Sequence, residues 1–222
     1  VGVIMLLALT SISVYGVTLA GWSSNSKFSL LGGLRSAAQM VSYELSMGLA
    51  VISVVLIAGS LNFMEIVEDQ SAGWALLGWN VVRNPVGCLL FIITAFAETN
   101  RLPFDLPEAE EELVAGYHTE YSGMKFGMFF LAEYVNWFVA SFFIVTLFFG
   151  GYLVPFQPLL LDVFPALADT AWLAGLQFLS LMLKVSFFAF LFIWVRWTFP
   201  RFKYNQLMTL GWKYMLPISI AN

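Results

Sequence analysis

The chain has 222 residues, of which 60% are apolar and 11% are charged, and its formal net charge is −4. Soluble domains carry roughly 25% charged residues, so this composition excludes an ordinary soluble protein and indicates a membrane protein. The only cysteine is Cys88 and the only histidine is His118. The sequence therefore lacks the residues for an intrachain disulfide, a cysteine-ligated cluster or a His-rich metal site, and we expect any redox cofactor to lie in another subunit.

Several apolar runs are long enough to be transmembrane helices, which need about 20 mostly apolar residues. We predict an all-α, polytopic transmembrane helix bundle that forms a single domain over residues 1–222. The prediction comprises five full spans and the start of a sixth near residue 210; the full spans are 1–21, 38–59, 85–99, 125–149 and 172–195. Because the chain begins and ends inside apolar runs, we expect it to be a fragment of a longer protein.

Cationic residues are concentrated in alternate connections between the predicted spans. Eight of the ten Lys and Arg residues lie in or beside the first, third and fifth connections, namely Lys27, Arg35, Arg101, Lys125, Arg196, Arg201, Lys203 and Lys213. The second connection holds only Arg83, and Lys184 lies inside a span. The positive-inside rule then predicts that the odd-numbered connections face the cytoplasm or the mitochondrial matrix. In the fifth connection, residues 196–209, cations alternate with aromatic residues, which is typical of an interfacial anchor.

The polar stretch 98–125, which includes the third connection (100–124), is an acidic loop on the same predicted side. It holds seven of the chain's 14 acidic residues, namely Glu98, Asp105, Glu108, Glu110, Glu111, Glu112 and Glu120. Solubility does not require so many carboxylates between two membrane helices, so the loop indicates charge handling, docking to a partner, or both. A simpler alternative is a solvated helix start, because carboxylates near a helix N-terminus are favoured by the helix dipole.

Three further charged residues, Glu44, Glu133 and Lys184, fall within apolar runs. A charge at the centre of a bilayer costs about 2.5–3.5 kcal/mol on insertion scales, so three such residues indicate a role. One interpretation is a buried structural ion pair between Lys184 and a glutamate. The other is a proton relay that includes all three residues, because intramembrane carboxylates commonly carry protons.

Three long motifs resemble one known family. They are GWSSNSKFSLLGGLRSAAQMVSYE, AETNRLPFDLPEAEEELVAGYHTEYSGMKFGMFFLAEY and PRFKYNQLM followed by GWK. The chain resembles, nearly from end to end, the family of the NADH-quinone oxidoreductase membrane subunit designated H, which is the component of respiratory complex I called subunit 1 in mitochondria. The resemblance implies eight transmembrane helices in a full-length chain, of which this sequence would hold the third to the seventh and the start of the eighth.

The resemblance also implies a function. The family helps to form the quinone chamber and couples the reduction of quinone by NADH to proton translocation through buried carboxylates. Quinone is then a substrate, and FMN and iron–sulfur clusters belong to partner subunits. The implied partners are the cluster-bearing and quinone-site subunits of the peripheral arm and the small membrane subunits, in a bacterial inner membrane or the mitochondrial inner membrane.

Individual roles follow from the matching motifs. The resemblance implies proton-relay or coupling roles for the intramembrane residues of SYE and AEY and for the loop glutamates, namely Glu44, Glu133, Glu108, Glu110, Glu112 and Glu120. It places Arg35, Glu98, Arg101 and Asp105 in the quinone chamber or its loop. Two departures matter: Asn205 stands where the family pattern leads us to expect Asp, and Glu111 lies at a variable position and receives no role.

Other functions remain open from the sequence. One is the equivalent membrane subunit of a ferredoxin-driven or hydrogenase-type complex. Another is a stand-alone ion transporter, which predicts an inverted repeat or broken helices that the sequence does not show. In a third, the acidic loop is only a docking surface.

Overall fold

A computed structural model describes residues 2–71, 75–105, 116–157, 160 and 171–222. In chain order its helices are α1 (Gly2–Ser23), α2 (Lys27–Ala58), α3 (Phe63–Ser71), α4 (Asn80–Arg83), α5 (Pro85–Glu98), α6 (Met124–Phe148), α7 (Ala171–Thr198), α8 (Tyr204–Thr209) and α9 (Leu216–Ala221). Single 3₁₀ turns cover Ala75–Gly78 and Gly116–His118, and a π-helical segment, Leu210–Met215, joins α8 to α9. No strand occurs in these ranges, which confirms the all-α prediction.

Four of these helices, α1, α2, α6 and α7, are long and apolar enough to cross a membrane. They correspond to four of the predicted spans and confirm a multi-pass membrane protein. The predicted span 85–99 is α5, which has only 14 residues. At 1.5 Å per residue such a helix is about 21 Å long, whereas the hydrocarbon core is about 30 Å thick. The count of five full spans is therefore not confirmed.

The start of α5 is well defined by its sequence. The Asn84 side chain accepts a hydrogen bond from the Gly87 N–H at 2.8 Å, and Pro85 occupies the first helical position. Proline is favoured there because the first N–H groups of a helix have no intrahelical partner. The boundary predicted at Asn84 and Pro85 is thus the one observed.

Helix α2 differs from its predicted span at its N-terminus. It begins at Lys27 rather than residue 38, so most of the predicted first connection is helical. The Ser- and Gly-rich segment is helical because small residues let its neighbours approach closely. A Cβ atom on Gly21 of α1 would lie 2.7 Å from the Ser29 carbonyl oxygen, and a Cβ on Gly32 would lie 2.9 Å from the Tyr117 nitrogen. Tertiary packing thus outweighs the loop-like composition.

The connections meet at two opposite ends of the bundle. At one end, which we call the acidic end, the Ser23 and Tyr121 hydroxyls lie 2.8 Å apart, and the Phe202 N–H donates to the Pro103 carbonyl at 3.1 Å. At the opposite end the Asn80 amide donates to the Leu147 carbonyl at 2.8 Å. This arrangement agrees with the alternation of the cationic connections. The side of the membrane that each end faces stays a prediction.

The opposite end is held by a buried glutamine. Gln70 of α3 is fully buried; its amide nitrogen donates to the Thr146 carbonyl at 3.1 Å, and its amide oxygen accepts the Gly150 N–H at 2.9 Å. The side chain thereby satisfies backbone groups at the C-terminal end of α6 that would otherwise be buried without partners. Gly150 adopts a φ of +70°, in the left-handed region.

We expect Gly150→Ala to destabilise the protein. A side chain at this φ is strained, and the added Cβ would lie 2.9 Å from the Trp79 indole nitrogen, so the free energy of unfolding should fall by roughly 1–3 kcal/mol. The control is Gly48→Ala, because a Cβ on Gly48 of α2 would meet nothing within 4 Å. Thermal denaturation of the full-length protein in mild detergent measures both. Equal midpoints for the two variants would contradict the prediction.

Candidate functional site

Two ion pairs organise the acidic end. The Arg101 Nε atom lies 3.1 Å from a Glu133 carboxylate oxygen, and an Arg201 guanidinium nitrogen lies 2.6 Å from an Asp105 carboxylate oxygen. Arg101 and Asp105 are only 6% and 5% exposed. Because an isolated buried charge is costly, each pair neutralises charges that the bundle has removed from water. The loop is thereby tied to α6 by one pair and to the segment before α8 by the other.

Aromatic rings enclose the Arg101 guanidinium. Its central carbon lies 4.8 Å from the ring centroid of Tyr134 and 4.8 Å from that of Trp137, both on α6. A guanidinium over an aromatic face is attracted by the ring quadrupole, most strongly where water is excluded. One turn of α6 thus provides both the carboxylate of Glu133 and the rings that hold its counter-ion.

Glu98 and Glu133 line one cleft between α1, α5 and α6. The cleft has a volume of about 550 Å³, and most of its wall is apolar, with side chains such as Leu9 and Phe143. Asn136 contributes a neutral polar group to the same wall and also lines a smaller adjacent cavity together with Glu98. The structure therefore brings two predicted site residues to a single space.

Glu44 lies on the neighbouring face of α2. It is close enough to Glu98 for the two carboxylates to interact electrostatically. Glu44, Glu98 and Glu133 thus form a succession of carboxylates across α2, α5 and α6. Their sequence separations, of 54 and 35 residues, gave no sign that they would meet.

The structure places Lys184 elsewhere. Its ammonium group donates to the carbonyls of Phe149, Gly151 and Leu153 at 2.8, 3.1 and 2.6 Å, and it lies 4.4 Å from the Trp79 ring centroid. These partners are at the opposite end of α6 from Glu133. Among the described residues, no ion pair joins Lys184 to a glutamate, so its contacts support anchoring of the turn after α6. A relay role for Lys184 stays a prediction.

Of the remaining predicted site residues, the structure describes Arg35 and Glu120. Arg35 of α2 lies over the Tyr204 ring, with its guanidinium carbon 5.6 Å from the centroid, so it faces the start of α8. Glu120 is exposed in the loop. Four loop glutamates fall outside the described residues, namely Glu108, Glu110, Glu111 and Glu112.

Sequence reasoning missed two members of the site. Arg201 belongs to a segment interpreted as an interfacial anchor, yet its guanidinium pairs with Asp105. Gln39 received no role, yet its fully buried amide nitrogen donates to the carbonyls of Ala97 and Phe104, both at 2.8 Å. The available signal for Gln39 was a long polar side chain just inside the predicted span 38–59, where an unsatisfied amide would be costly.

His118 anchors the far end of the loop through aromatic contacts. Its ring centroid lies 3.8 Å from that of Tyr117, 5.3 Å from that of Phe129 and 5.6 Å from that of Phe126. Burial lowers the pKa of His118 to about 4, so the imidazole is neutral at physiological pH. The residue packs as an aromatic group beside the site.

The chain is similar to known proteins along its whole length. The model of the NADH dehydrogenase family matches residues 1–222. The whole chain is 87% identical to a protein of Salinibacter ruber named as the H subunit of NADH-quinone oxidoreductase, and 78% identical to a protein of Rhodothermus marinus named NADH-quinone oxidoreductase subunit 8. A Leptospira biflexa protein, also named as the H subunit of NADH-quinone oxidoreductase, is 54% identical over 97% of the chain. The chain spans 64%, 65% and 58% of the lengths of these three relatives, respectively.

We expect acidification to destabilise the protein partly through His118. Its pKa is about 4 in the folded state and about 6.5 in an unfolded chain. Between these values the unfolded chain binds a proton that the folded chain does not, so stability falls as the pH falls through this window. His118→Phe should therefore lose less stability than the wild type on acidification.

Thermal midpoints at about pH 7.5 and about pH 5 measure this difference. The comparison isolates His118, because every other titratable group is common to the wild type and the variant. An equal drop in midpoint for wild type and variant would contradict a buried, neutral His118.

Proposed function

Because the chain belongs to the NADH dehydrogenase family, we propose that it is a membrane subunit of an NADH:quinone oxidoreductase and couples quinone reduction to proton translocation. The family match over residues 1–222 and the names of the relatives support the oxidoreductase assignment. The single observation that supports coupling is the cleft in which Glu98 and Glu133 face the same space, with Arg101 paired to Glu133.

The cleft provides space between the two carboxylates. Its volume of about 550 Å³ is large enough for several water molecules, each of which occupies about 30 Å³. Carboxylates inside a membrane protein are the usual material of proton paths, and Glu98, Glu133 and Asn136 are among the polar groups of a wall that is otherwise mostly apolar. We propose that Glu98, Glu133 and Glu44 exchange protons along this succession.

The Arg101–Glu133 pair provides a means of linking charge to movement. When Glu133 is ionised, the guanidinium neutralises it across 3.1 Å. When Glu133 takes up a proton, that attraction is lost. The contacts with the rings of Tyr134 and Trp137 then still hold Arg101, but its charge is no longer neutralised by Glu133. Arg101 lies in the acidic loop, so a change of charge on Glu133 acts directly on the loop.

The acidic end is the part of the chain that we assign to the quinone chamber. Quinone takes up two electrons and two protons to become quinol, which changes the local charge and proton demand. We propose that Arg35, Glu98, Arg101 and Asp105 contribute to the chamber or its loop, and that the loop glutamates Glu108, Glu110, Glu112 and Glu120 transmit this change to Glu133 and Glu44.

Electrons are expected to reach quinone from outside this chain. We propose that partner subunits of the peripheral arm hold FMN and iron–sulfur clusters, and that small membrane subunits pack beside the bundle. The relatives compared above are bacterial, so we assign the protein to a bacterial inner membrane, with the acidic end toward the cytoplasm.

We expect Glu133→Gln to impair quinone-coupled proton translocation. Glutamine keeps the size of the side chain but neither ionises nor forms the ion pair with Arg101. In membrane vesicles with the assembled complex, the variant should pump fewer protons per electron and reduce quinone at least about 5-fold more slowly, a change of about 1 kcal/mol in the barrier. Oxidation of NADH by an artificial acceptor should be unchanged.

Glu65→Gln is the matched control. Glu65 is an exposed carboxylate at the opposite end, bonded to Ser60 and Asn62, and its loss should leave proton-to-electron stoichiometry unchanged. Normal stoichiometry and quinone turnover in Glu133→Gln would refute the coupling role. If Glu133→Gln reduced only the amount of assembled complex, with normal turnover in what remains, the acidic end would be a docking surface.

The identity of the assembly is tested by co-purification. The tagged full-length protein should migrate on a native gel in a large complex that contains flavin and cluster subunits and shows rotenone- or piericidin-sensitive NADH:quinone activity. A large assembly with a hydrogenase or ferredoxin module would replace NADH with another electron donor. A small stand-alone particle would contradict the proposal and favour an ion transporter.

A further inference from the structure

Gln39 holds both ends of a segment that carries two charged site residues, Glu98 and Arg101. It lies on α2, is fully buried, and donates one N–H to the Ala97 carbonyl and the other to the Phe104 carbonyl, both at 2.8 Å. Ala97 immediately precedes Glu98, and Phe104 immediately precedes Asp105. One amide group therefore bridges the start and the end of residues 98–104.

The orientation of this amide is determined by its surroundings. A primary amide has two N–H donors on nitrogen and only acceptor sites on oxygen. The reversed orientation would place an oxygen 2.8 Å from two carbonyl oxygens, which repel it. The Gln39 side-chain oxygen makes no hydrogen bond among the described residues, so the two carbonyls alone select the observed orientation.

The segment is also held by the Arg101–Glu133 pair and by the Phe202 N–H, which donates to the Pro103 carbonyl at 3.1 Å. Neither of these two contacts joins the segment to α2. The segment contains a turn in which the Phe104 N–H donates to the Arg101 carbonyl at 2.8 Å, but no regular helix. One turn further along α2, the Tyr43 ring packs edge-on against the Phe104 ring, with centroids 5.7 Å apart. Residues four positions apart share a helix face, so Gln39 and Tyr43 fix the segment against the same face of α2.

We propose that Gln39 is a positioning residue that sets the distance between Glu98 and the Arg101–Glu133 pair. This inference rests on the proposed coupling function. Arg101 lies between the two carbonyls that Gln39 binds, and Glu98 directly follows one of them. Loss of either hydrogen bond lets the segment move relative to α2, which changes the separation between the carboxylates that line the cleft.

Loss of the Gln39 hydrogen bonds should impair coupling and should not impair the entry of electrons from NADH. Proton transfer depends steeply on the geometry of donor and acceptor, and misplacement of about 1 Å can cost on the order of 100-fold in rate. Gln39 touches neither the cleft nor a carboxylate in the described contacts. Its removal should therefore alter the turnover and pH profile of quinone reduction while NADH oxidation by an artificial acceptor continues.

The test compares Gln39→Met with Gln70→Met in the assembled complex of the full-length protein. Methionine has nearly the same shape as glutamine but no N–H donor. Gln70 is the matched control because it is also fully buried and its amide also donates to two carbonyls, those of Ile66 and Thr146, but at the opposite end. Assembled complex is quantified on native gels, and kcat, KM for quinone, pH profile and protons per electron are measured per complex.

We expect Gln39→Met to lower kcat for quinone by at least about 5-fold and to shift its pH profile, with Gln70→Met like wild type in both. Gln39→Asn, which keeps the amide but is one methylene shorter and reaches only one carbonyl, should give an intermediate effect. The inference is overturned if Gln39→Met matches wild type, or if Gln70→Met gives the same changes. It is also overturned if both Gln39 variants fail to assemble while Gln70→Met assembles, because the role is then in folding.

Glu133→Gln in the same membranes separates this inference from the proposed function. If Glu133→Gln impairs coupling and Gln39→Met does not, the positioning role fails and the coupling role stands. If Glu133→Gln behaves like wild type, the coupling function fails, and the positioning role, which rests on it, fails with it.

Discussion

The ion pair between Arg101 and Glu133 is the interaction on which the acidic end depends. A carboxylate about one-third of the way along a membrane helix must be neutralised or hydrated, and here a loop arginine enters the bundle to do so. The rings of Tyr134 and Trp137 then enclose the guanidinium. A loop that would otherwise lie in solvent is thereby drawn into the membrane domain, and a charge change in either element must act on the other.

The two ends of the bundle solve the problem of buried polarity differently. At the acidic end, ion pairs such as that of Asp105 with Arg201 accompany the neutral hydrogen bonds of Gln39. At the opposite end, neutral amides and one ammonium group satisfy backbone carbonyls, as Gln70 and Lys184 do. Hydrogen bonds between neutral groups persist when a nearby group takes up a proton, whereas a carboxylate that takes up a proton loses its ion pair.

Helix α2 connects these features because it packs against most of the bundle. Its small residues allow α1 and the 116–118 turn to approach within contact of its backbone. Farther along, Gln39 and Tyr43 reach the acidic loop and the backbone of α8, where the Tyr43 hydroxyl donates to the Leu207 carbonyl at 2.9 Å. A long helix with polar groups on one face can hold several irregular segments in fixed positions relative to one another.

The sequence by itself determined the membrane class, the all-α fold, four of the spans and the family, because hydrophobic run length, alternating cation content and long specific motifs are local properties of the chain. It also identified Glu98, Glu133 and Arg101 as residues of interest. Only the tertiary structure decided that Glu133 pairs with Arg101, that Lys184 binds carbonyls at the other end, and that Gln39 bridges Ala97 and Phe104. Such contacts join residues up to 65 positions apart. They depend on how the helices pack, and helix packing cannot be predicted from a local sequence pattern.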